Sequence, residues 1–174
     1  SDPEDRSRHL VPSPFVAGLV LAVGANGLYR STNSGGDWTL VAAPPAFTPD
    51  DSELVWASSD TAYATSADYE APENSGLFVS HDAGATWQRA LPFPDDVPER
   101  PWLTGLAVDP FRPGTVYALS KESSDAYPRE VVRSTDGGLT WFSLSAGLLG
   151  WPLSDLTLDP VTPNRLYVSA TGGG

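Results

Sequence analysis

One short phrase occurs three times in this chain and constrains its architecture more than any other feature. It reads Ser-x-Asp-x-Gly-x-Thr-Trp, and its copies at 31–38, 80–87 and 134–141 are called here the first, second and third boxes. The boxes start about 50 residues apart, a period typical of chains built from similar structural units in series. The sequence is therefore expected to fold as a repeat protein.

A second phrase keeps the same rhythm. An apolar run that ends in Asp-Pro or Ser-Pro is followed by a Val-Tyr-Ala type segment at 106–118 and 156–168, with a related copy at 10–22. Each repeat then contains four strands: the run before the Pro, the Val-Tyr-Ala segment, the run that enters the Ser, and the segment that begins at the Trp. Proline lacks an N–H and suits the end of the first strand. We predict an all-β chain, a β-propeller of four-stranded antiparallel blades.

The repeats divide the chain, which we treat as one propeller region over 1–174. Three full repeats cover about 6–41, 50–91 and 101–144, and a half repeat covers 151–170. Propellers close with about 4–8 blades, so three and a half blades would leave an open arc. We expect the remaining blades to come from the same longer chain, from a second copy or from another polypeptide. The first is preferred because the sequence has no Met and stops in mid-repeat.

The residue types of the boxes predict a tight turn between the third and fourth strands. Asp or Asn accepts hydrogen bonds from nearby backbone N–H groups, and Gly takes a positive φ without steric cost. The Ser and Thr hydroxyls can bond across the turn, and the Trp fills apolar space between neighbouring sheets. The first box has Asn33 and Asp37 where the others have Asp and Thr, and Asn can still accept. We predict structural roles for Ser31, Asn33, Gly35, Trp38, Ser80, Asp82, Gly84, Thr86, Trp87, Ser134, Asp136, Gly138, Thr140 and Trp141.

The boxes resemble the Asp-box, or BNR repeat, of sialidases, xyloglucan-active glycoside hydrolases, sortilin-like receptors and photosystem-assembly-factor-like proteins. The copies at 80–87 and 134–141 match that motif in full. The resemblance implies a propeller whose ligand face carries the loops from second to third strand and from blade to blade, away from the boxes. Because the family includes enzymes, receptors and assembly factors, the motif does not choose among their functions.

Acidic and aromatic residues concentrate in the long loops that this topology would place on the ligand face. Paired carboxylates and aromatic rings are the materials of glycoside hydrolysis, but exposed acids in Pro-rich loops are usually solvated. We therefore assign no catalytic residue, and we predict neither a metal nor a cofactor. The residues predicted for ligand contact are Asp68, Tyr69, Glu70, Asp95, Asp96, Glu122, Asp125 and Tyr127.

The charge composition argues against two classes of binding partner. The 22 acidic and 10 basic residues give a net charge of −12, which argues against nucleic acid and against anionic membrane surfaces. No apolar run is long enough for a membrane helix, so no membrane insertion is expected. The acidic balance suits an extracellular or cell-surface protein, and the excess of Arg over Lys suggests a bacterial source.

The sequence is compatible with three functions. The preferred one is a non-catalytic scaffold or recognition module for a protein or a glycan, because every repeated motif has a structural explanation. The second is a fragment of a secreted glycoside hydrolase of the xyloglucanase-like or sialidase-like type. The third is an assembly-factor-like protein, which gains no positive support from the acidic composition.

Overall fold

A computed structural model of the chain describes residues 9–24, 27–41, 52–66, 76–90, 102–121, 130–144, 148 and 153–170. All regular elements in these ranges are β-strands. The first sheet holds β1 (His9–Pro12), β2 (Val20–Gly24), β3 (Gly27–Ser31) and β4 (Thr39–Leu40). The second holds β5 (Leu54–Trp56), β6 (Ala62–Ser66), β7 (Gly76–Ser80) and β8 (Gln88–Ala90). The third holds β9 (Trp102–Val108), β10 (Val116–Lys121), β11 (Glu130–Ser134) and β12 (Phe142–Ser143). A two-stranded sheet consists of β13 (Leu153–Leu158) and β14 (Leu166–Ala170).

Each sheet is an antiparallel meander in chain order. The prediction of an all-β chain with four-stranded antiparallel sheets is confirmed. The strands lie inside the four ranges expected for the repeats, and β13 with β14 falls in the half repeat. The strand before each box and the strand after its Trp pair with each other, so each box closes a hairpin.

The sheets stack face to face along the chain. The first strands of successive sheets, β1, β5, β9 and β13, contact each other in that order. An apolar cluster fills each interval between sheets: Leu21 and Phe78 lie in the first, Leu77 and Val132 in the second. The third cluster joins the third sheet to the two-stranded sheet. The hydrophobic core is thus divided into layers, each made by two neighbouring sheets.

Burial along the strands follows this stacking. Every residue of β6 and β7 is buried, because both faces of the second sheet are covered. The buried run includes the polar residues Thr65, Ser66 and Ser80 as well as apolar ones. In β14, half-buried and exposed residues alternate over most of the strand, as expected when only one face is covered.

The two ends of each sheet differ in what they carry. At one end the box lies beside the turn between the first two strands, and backbone N–H groups of Ser34, Ala83 and Gly137 donate across to carbonyls of Gly18, Asp60 and Gly114 at 2.8, 2.7 and 2.9 Å. The strand ends that flank 67–75 and 122–129 lie at the opposite end. Asp68, Tyr69, Glu70, Asp95, Asp96, Glu122, Asp125 and Tyr127 themselves fall outside the described residues.

Candidate functional site

The third box is held by a Ser–Asp–Thr hydrogen-bond network. The Ser134 hydroxyl donates to Asp136 Oδ1 at 2.7 Å and accepts the N–H of Gly138 at 2.8 Å. The Asp136 carboxylate accepts the backbone N–H of Thr140 at 2.9 Å on Oδ1 and its hydroxyl at 2.5 Å on Oδ2. Both oxygens of the carboxylate are therefore occupied within the turn.

The second box repeats these bonds with the same atoms. The Ser80 hydroxyl donates to Asp82 Oδ1 at 2.8 Å and accepts the N–H of Gly84 at 2.9 Å. Asp82 accepts the N–H and the hydroxyl of Thr86 at 2.8 and 2.6 Å. Both oxygens of the Asp82 carboxylate accept hydrogen bonds within the turn, which supports a structural role.

The first box reaches the same shape with donor and acceptor exchanged. Asn33 Oδ1 still accepts from the Ser31 hydroxyl at 2.9 Å and from the N–H of Asp37 at 2.8 Å. The side-chain bond is reversed, because Asn33 Nδ2 donates to Asp37 Oδ2 at 2.7 Å. The two departures from the motif therefore compensate each other.

The glycines of the boxes meet a backbone requirement. Gly35, Gly84 and Gly138 have φ values of 90°, 81° and 95°. This left-handed region is strained for residues with a Cβ. At Gly84 an added Cβ would also lie 2.5 Å from Leu21 Cδ2 of the first sheet. The position therefore needs glycine both for the turn and for close packing on the preceding sheet.

The hydrogen bonds within the second and third boxes lower the pKa of their aspartate carboxyl groups. Burial raises the pKa of Asp82, but hydrogen bonds from Thr86 and Ser80 outweigh that effect and lower the pKa to about 2. Hydrogen bonds from the Thr140 hydroxyl and N–H and from Ser134 lower the pKa of Asp136 to about 2. Both groups are ionised at neutral pH and are poorly suited to act as general acids.

Two of the three box tryptophans lie between sheets. The Trp87 indole is 8% exposed within the first apolar cluster, and its Nε1 donates to the Gly84 carbonyl at 3.2 Å. Trp141 is half-buried against the second cluster, with the same bond to Gly138 at 3.0 Å. Trp38, on the sheet that no described sheet precedes, is half-buried.

The turns between the first and second strands carry a second set of repeated contacts. Asp109 Oδ1 accepts the N–H of Phe111 at 2.8 Å, and Asp159 Oδ1 accepts that of Val161 at 2.9 Å. The Ser13 hydroxyl does the same for Phe15 at 3.2 Å. The Asp-Pro and Ser-Pro phrases thus depend on the residue before Pro as a turn acceptor, in addition to Pro itself.

A carboxylate that the sequence analysis missed connects two sheets near the opposite end. Glu53, which precedes β5, accepts the N–H groups of Gly105 and Leu106 on its two oxygens at 3.1 and 2.6 Å. The contact lies next to an irregularity in the pairing of β9 with β10. At the corresponding place in β13, Asp155 accepts the N–H of Leu156 at 2.8 Å. These carboxylates satisfy backbone donors that irregular strands leave unpaired.

Within the described ranges, no group of three or more His, Cys, Asp or Glu side chains could hold a metal ion. The same ranges contain no helix long and apolar enough to cross a membrane. What the described residues assemble is a stack of turn-clamped four-stranded sheets, which is the construction of a β-propeller arc.

Comparison with known proteins supports this class. Over 115 residues, 62% of this chain, the sequence is 30% identical to a probable oligoxyloglucan-reducing end-specific xyloglucanase of Neosartorya fischeri, of which it covers 13%. An ancestral GH74 enzyme superposes with a TM-score of 0.64 at 17% identity, over 94% of this chain and 22% of that one. The GH74 enzyme of Niastella koreensis gives 0.62 at 23% identity, over 94% and 28%. No protein-family model matches the chain.

The structural likenesses show the fold: the chain is a partial β-propeller. It spans less than a third of the length of each of these relatives.

Proposed function

We propose that this chain is a section of the propeller of an extracellular xyloglucanase-like glycoside hydrolase, in which its blades act as a scaffold for glucan recognition. The observation that carries the proposal is the 30% identity to the Neosartorya fischeri xyloglucanase. The repeated turns are then Asp-boxes that shape the blades. A polysaccharide substrate is met outside the cell, which agrees with the acidic composition.

The carboxylates of the described sheets support the scaffold role. Asp82 and Asp136 are bound inside their turns, and both oxygens of Glu53 accept backbone N–H groups. Asp155 likewise accepts a backbone N–H. A catalytic acid or nucleophile needs an oxygen directed at the glycosidic bond. We therefore propose that the described sheets position the loops and that the loops contact the sugar.

The experiment is titration of the chain with xyloglucan oligosaccharides by calorimetry, with a parallel assay for released reducing ends. Binding without hydrolysis is expected. Replacing Tyr69 and Tyr127 together by Ala should weaken binding by about tenfold, which corresponds to about 1.4 kcal/mol. Tyr167→Ala is the matched control, because Tyr167 is an exposed tyrosine that contacts Asp159 near the box end.

Three other outcomes of this experiment would each contradict a different part of the proposal. Failure to bind any xyloglucan oligosaccharide would contradict glucan recognition by this section. Turnover of the oligosaccharides by the chain itself would contradict the scaffold role and favour a complete catalytic site. Equal loss of binding in Tyr167→Ala and in the loop variant would place recognition away from the predicted face.

A further inference from the structure

One strand position differs between the second sheet and its two neighbours. The residue before each box is Arg30 in the first sheet, Val79 in the second and Arg133 in the third. These three positions correspond in the structure as well, because each pairs with the first residue of the fourth strand in its own sheet. The second sheet therefore has a short apolar side chain where the other two have a long cationic one.

The arginines at this position use their guanidinium groups within the fold. Arg30 Nε donates at 2.8 Å to the carbonyl of Ala83, the fourth residue of the second box. The Arg133 guanidinium lies 5.7 Å from the centre of the Tyr117 ring, a distance at which a cation is attracted to an aromatic face. Val79 offers no such group, so the second sheet lacks the guanidinium that its neighbours supply beside their boxes.

A pocket of about 200 Å³ lies beside Val79. Pockets for drug-sized ligands usually measure about 300–1,000 Å³, so this one suits a single side chain or another small group. Two of its six lining residues are buried and the other four are exposed, which leaves the pocket open to solvent. The lining consists of the buried Val79 and Trp87 and the exposed His81, Asp82, Thr86 and Gln88.

Two side chains of the pocket have oxygens that can accept from a cationic donor. Asp82 Oδ2 accepts the Thr86 hydroxyl at 2.6 Å, and a carboxylate oxygen has room for a second hydrogen bond. Gln88 is exposed and has an amide oxygen with two lone pairs. A guanidinium group has five N–H donors and no acceptor, so its chemistry matches these oxygens.

A second carboxylate stands close to the pocket. Asp60 lies in the turn between β5 and β6, and its carbonyl accepts the N–H of Ala83 in the second box at 2.7 Å. Its Oδ1 accepts the hydroxyls of Ser58 and Thr61 at 2.6 and 2.9 Å, and these bonds lower the pKa of the carboxyl group. Asp60 and Asp82 are thus both ionised at neutral pH, and they favour a cation over an anion at this place.

We propose that the pocket beside Val79 binds the guanidinium group of an arginine side chain from a partner protein. The partner then supplies, beside the second box, the group that Arg30 and Arg133 supply beside the first and third. Its N–H groups donate to Asp82 and Gln88. The inference rests on the second sheet and its correspondence with its neighbours, so it does not depend on the proposed glucan function.

The test is titration of the chain with N-acetyl-arginine amide, followed by NMR signals of the Trp87 indole N–H and the Gln88 side-chain amide. A single side chain binds weakly, so we expect Kd of about 1 mM. N-acetyl-citrulline amide has nearly the same shape without the charge and should bind at least about tenfold more weakly. A glycine-flanked arginine pentapeptide should bind at least as well as free arginine, because the proposed ligand is a side chain of a polypeptide.

Variants locate the site. Val79→Arg places the chain's own guanidinium in the pocket, as in the other two sheets, and should abolish the titration without lowering Tm. Gln88→Leu changes an exposed residue and removes one acceptor, which should weaken binding by about threefold. Thr39→Leu is the matched control, because Thr39 occupies the same register position in the first sheet and should leave binding unchanged.

Equal binding of the arginine and citrulline compounds, or no binding of either, would overturn the proposal. So would an unchanged titration in a folded Val79→Arg chain, since the compound would then bind elsewhere. If Val79→Arg does not fold, equal affinities of Gln88→Leu and Thr39→Leu would overturn it. Tighter binding of free arginine than of the pentapeptide would assign the pocket to a small molecule and contradict a protein partner. None of these results bears on oligosaccharide binding, so the two proposals fail separately.

Discussion

The leading faces of the first and second sheets, meaning the faces directed away from the next sheet along the chain, carry the same repeat positions in different surroundings. On the first sheet, Leu10, Ala22, Tyr29 and Leu40 are paired in a row across the four strands. On the second sheet the row is Leu54, Ala64, Phe78 and Arg89. Leu10 is 52% exposed, whereas its counterpart Leu54 is 6% exposed against the first sheet.

The difference shows that burial in this molecule depends on the neighbouring sheet. Both rows are mostly apolar, and a preceding sheet must cover such a row for its full contribution to stability. Stability in such a stack is the sum of terms within sheets and terms between neighbours. Substitutions at matched positions can separate the two kinds of term.

The largest effect is expected at the box tryptophans. Trp87→Ala should lower the free energy of unfolding by about 3–5 kcal/mol, because it empties a buried site between two sheets. Trp38→Ala should cost about 1–2 kcal/mol, since no described sheet covers Trp38. Urea unfolding followed by far-UV circular dichroism measures both. Equal losses would mean that the leading face of the first sheet is covered in solution.

Leucines of the matched rows should show the same asymmetry at smaller size. Leu54→Ala is expected to cost about 2–3 kcal/mol from lost transfer energy and the cavity left behind. Leu10→Ala should cost below about 1 kcal/mol, because that side chain is half in solvent. The urea midpoints of the two variants give the comparison, and a larger loss for Leu10→Ala would contradict it.

Glycine replacement should produce a still smaller loss, and only where the backbone requires glycine. Gly84→Ala should cost about 1–2 kcal/mol because of its positive φ, with a further contribution from the contact with Leu21. Gly114→Ala is the control, since an added Cβ there has 3.8 Å to its nearest neighbour. Thermal melts of both variants test this, and a destabilised control would show that the loss is not specific to the box.

The smallest effect is the dependence of stability on pH. The pKa of Asp82 and of Asp136 is about 2 in the fold, against 3.8 for the unperturbed group. Because the unfolded state binds protons first, the contribution of both groups is complete above about pH 4 and disappears as the pH falls towards 2. Melting from pH 6 to pH 2 should show this loss, and Asp82→Asn with Asp136→Asn should flatten it.

The first box provides the reciprocal experiment. Asn33 has no proton to gain in this range, so this box should contribute less to the acid-induced loss. The double variant Asn33→Asp with Asp37→Thr recreates the network of the other boxes and should steepen the decline below pH 4. An unchanged slope would argue that box carboxylates are not the source of the acid sensitivity.

Much of the fold was predictable because it repeats. The spacing of Ser31, Ser80 and Ser134 indicated the hairpins, and the order of apolar runs indicated four strands in each sheet. Contacts between sheets were not predictable in the same way. Glu53 reaches Gly105 on the next sheet, whereas the carboxylate at the same repeat position, Asp155, accepts an N–H of its own strand, so the residue type at that position does not indicate the contact.

In the candidate site, too, the local contacts were predictable and the contacts between sheets were not. Local bonds such as that of Ser134 to Asp136 follow from residue types two positions apart in the turn. Arg30 and Arg133 were recognisable as repeat positions, but the acceptor of Arg30 lies on another sheet. The predicted ligand residues fall outside the described ranges, in stretches of sequence without a repeat, and their role remains a prediction.

The exchanged pair in the first box has a consequence for how such sequences diverge. Between an Asp–Thr box and an Asn–Asp box, changing Asp to Asn first keeps the bonds on Oδ1 and places Nδ2 against the threonine side chain, where it can donate to the hydroxyl oxygen. Changing Thr to Asp first places two carboxylates at hydrogen-bonding distance. The permitted substitution path therefore runs through Asn–Thr. Relatives that carry that intermediate pair would retain a working turn while escaping any search that requires aspartate.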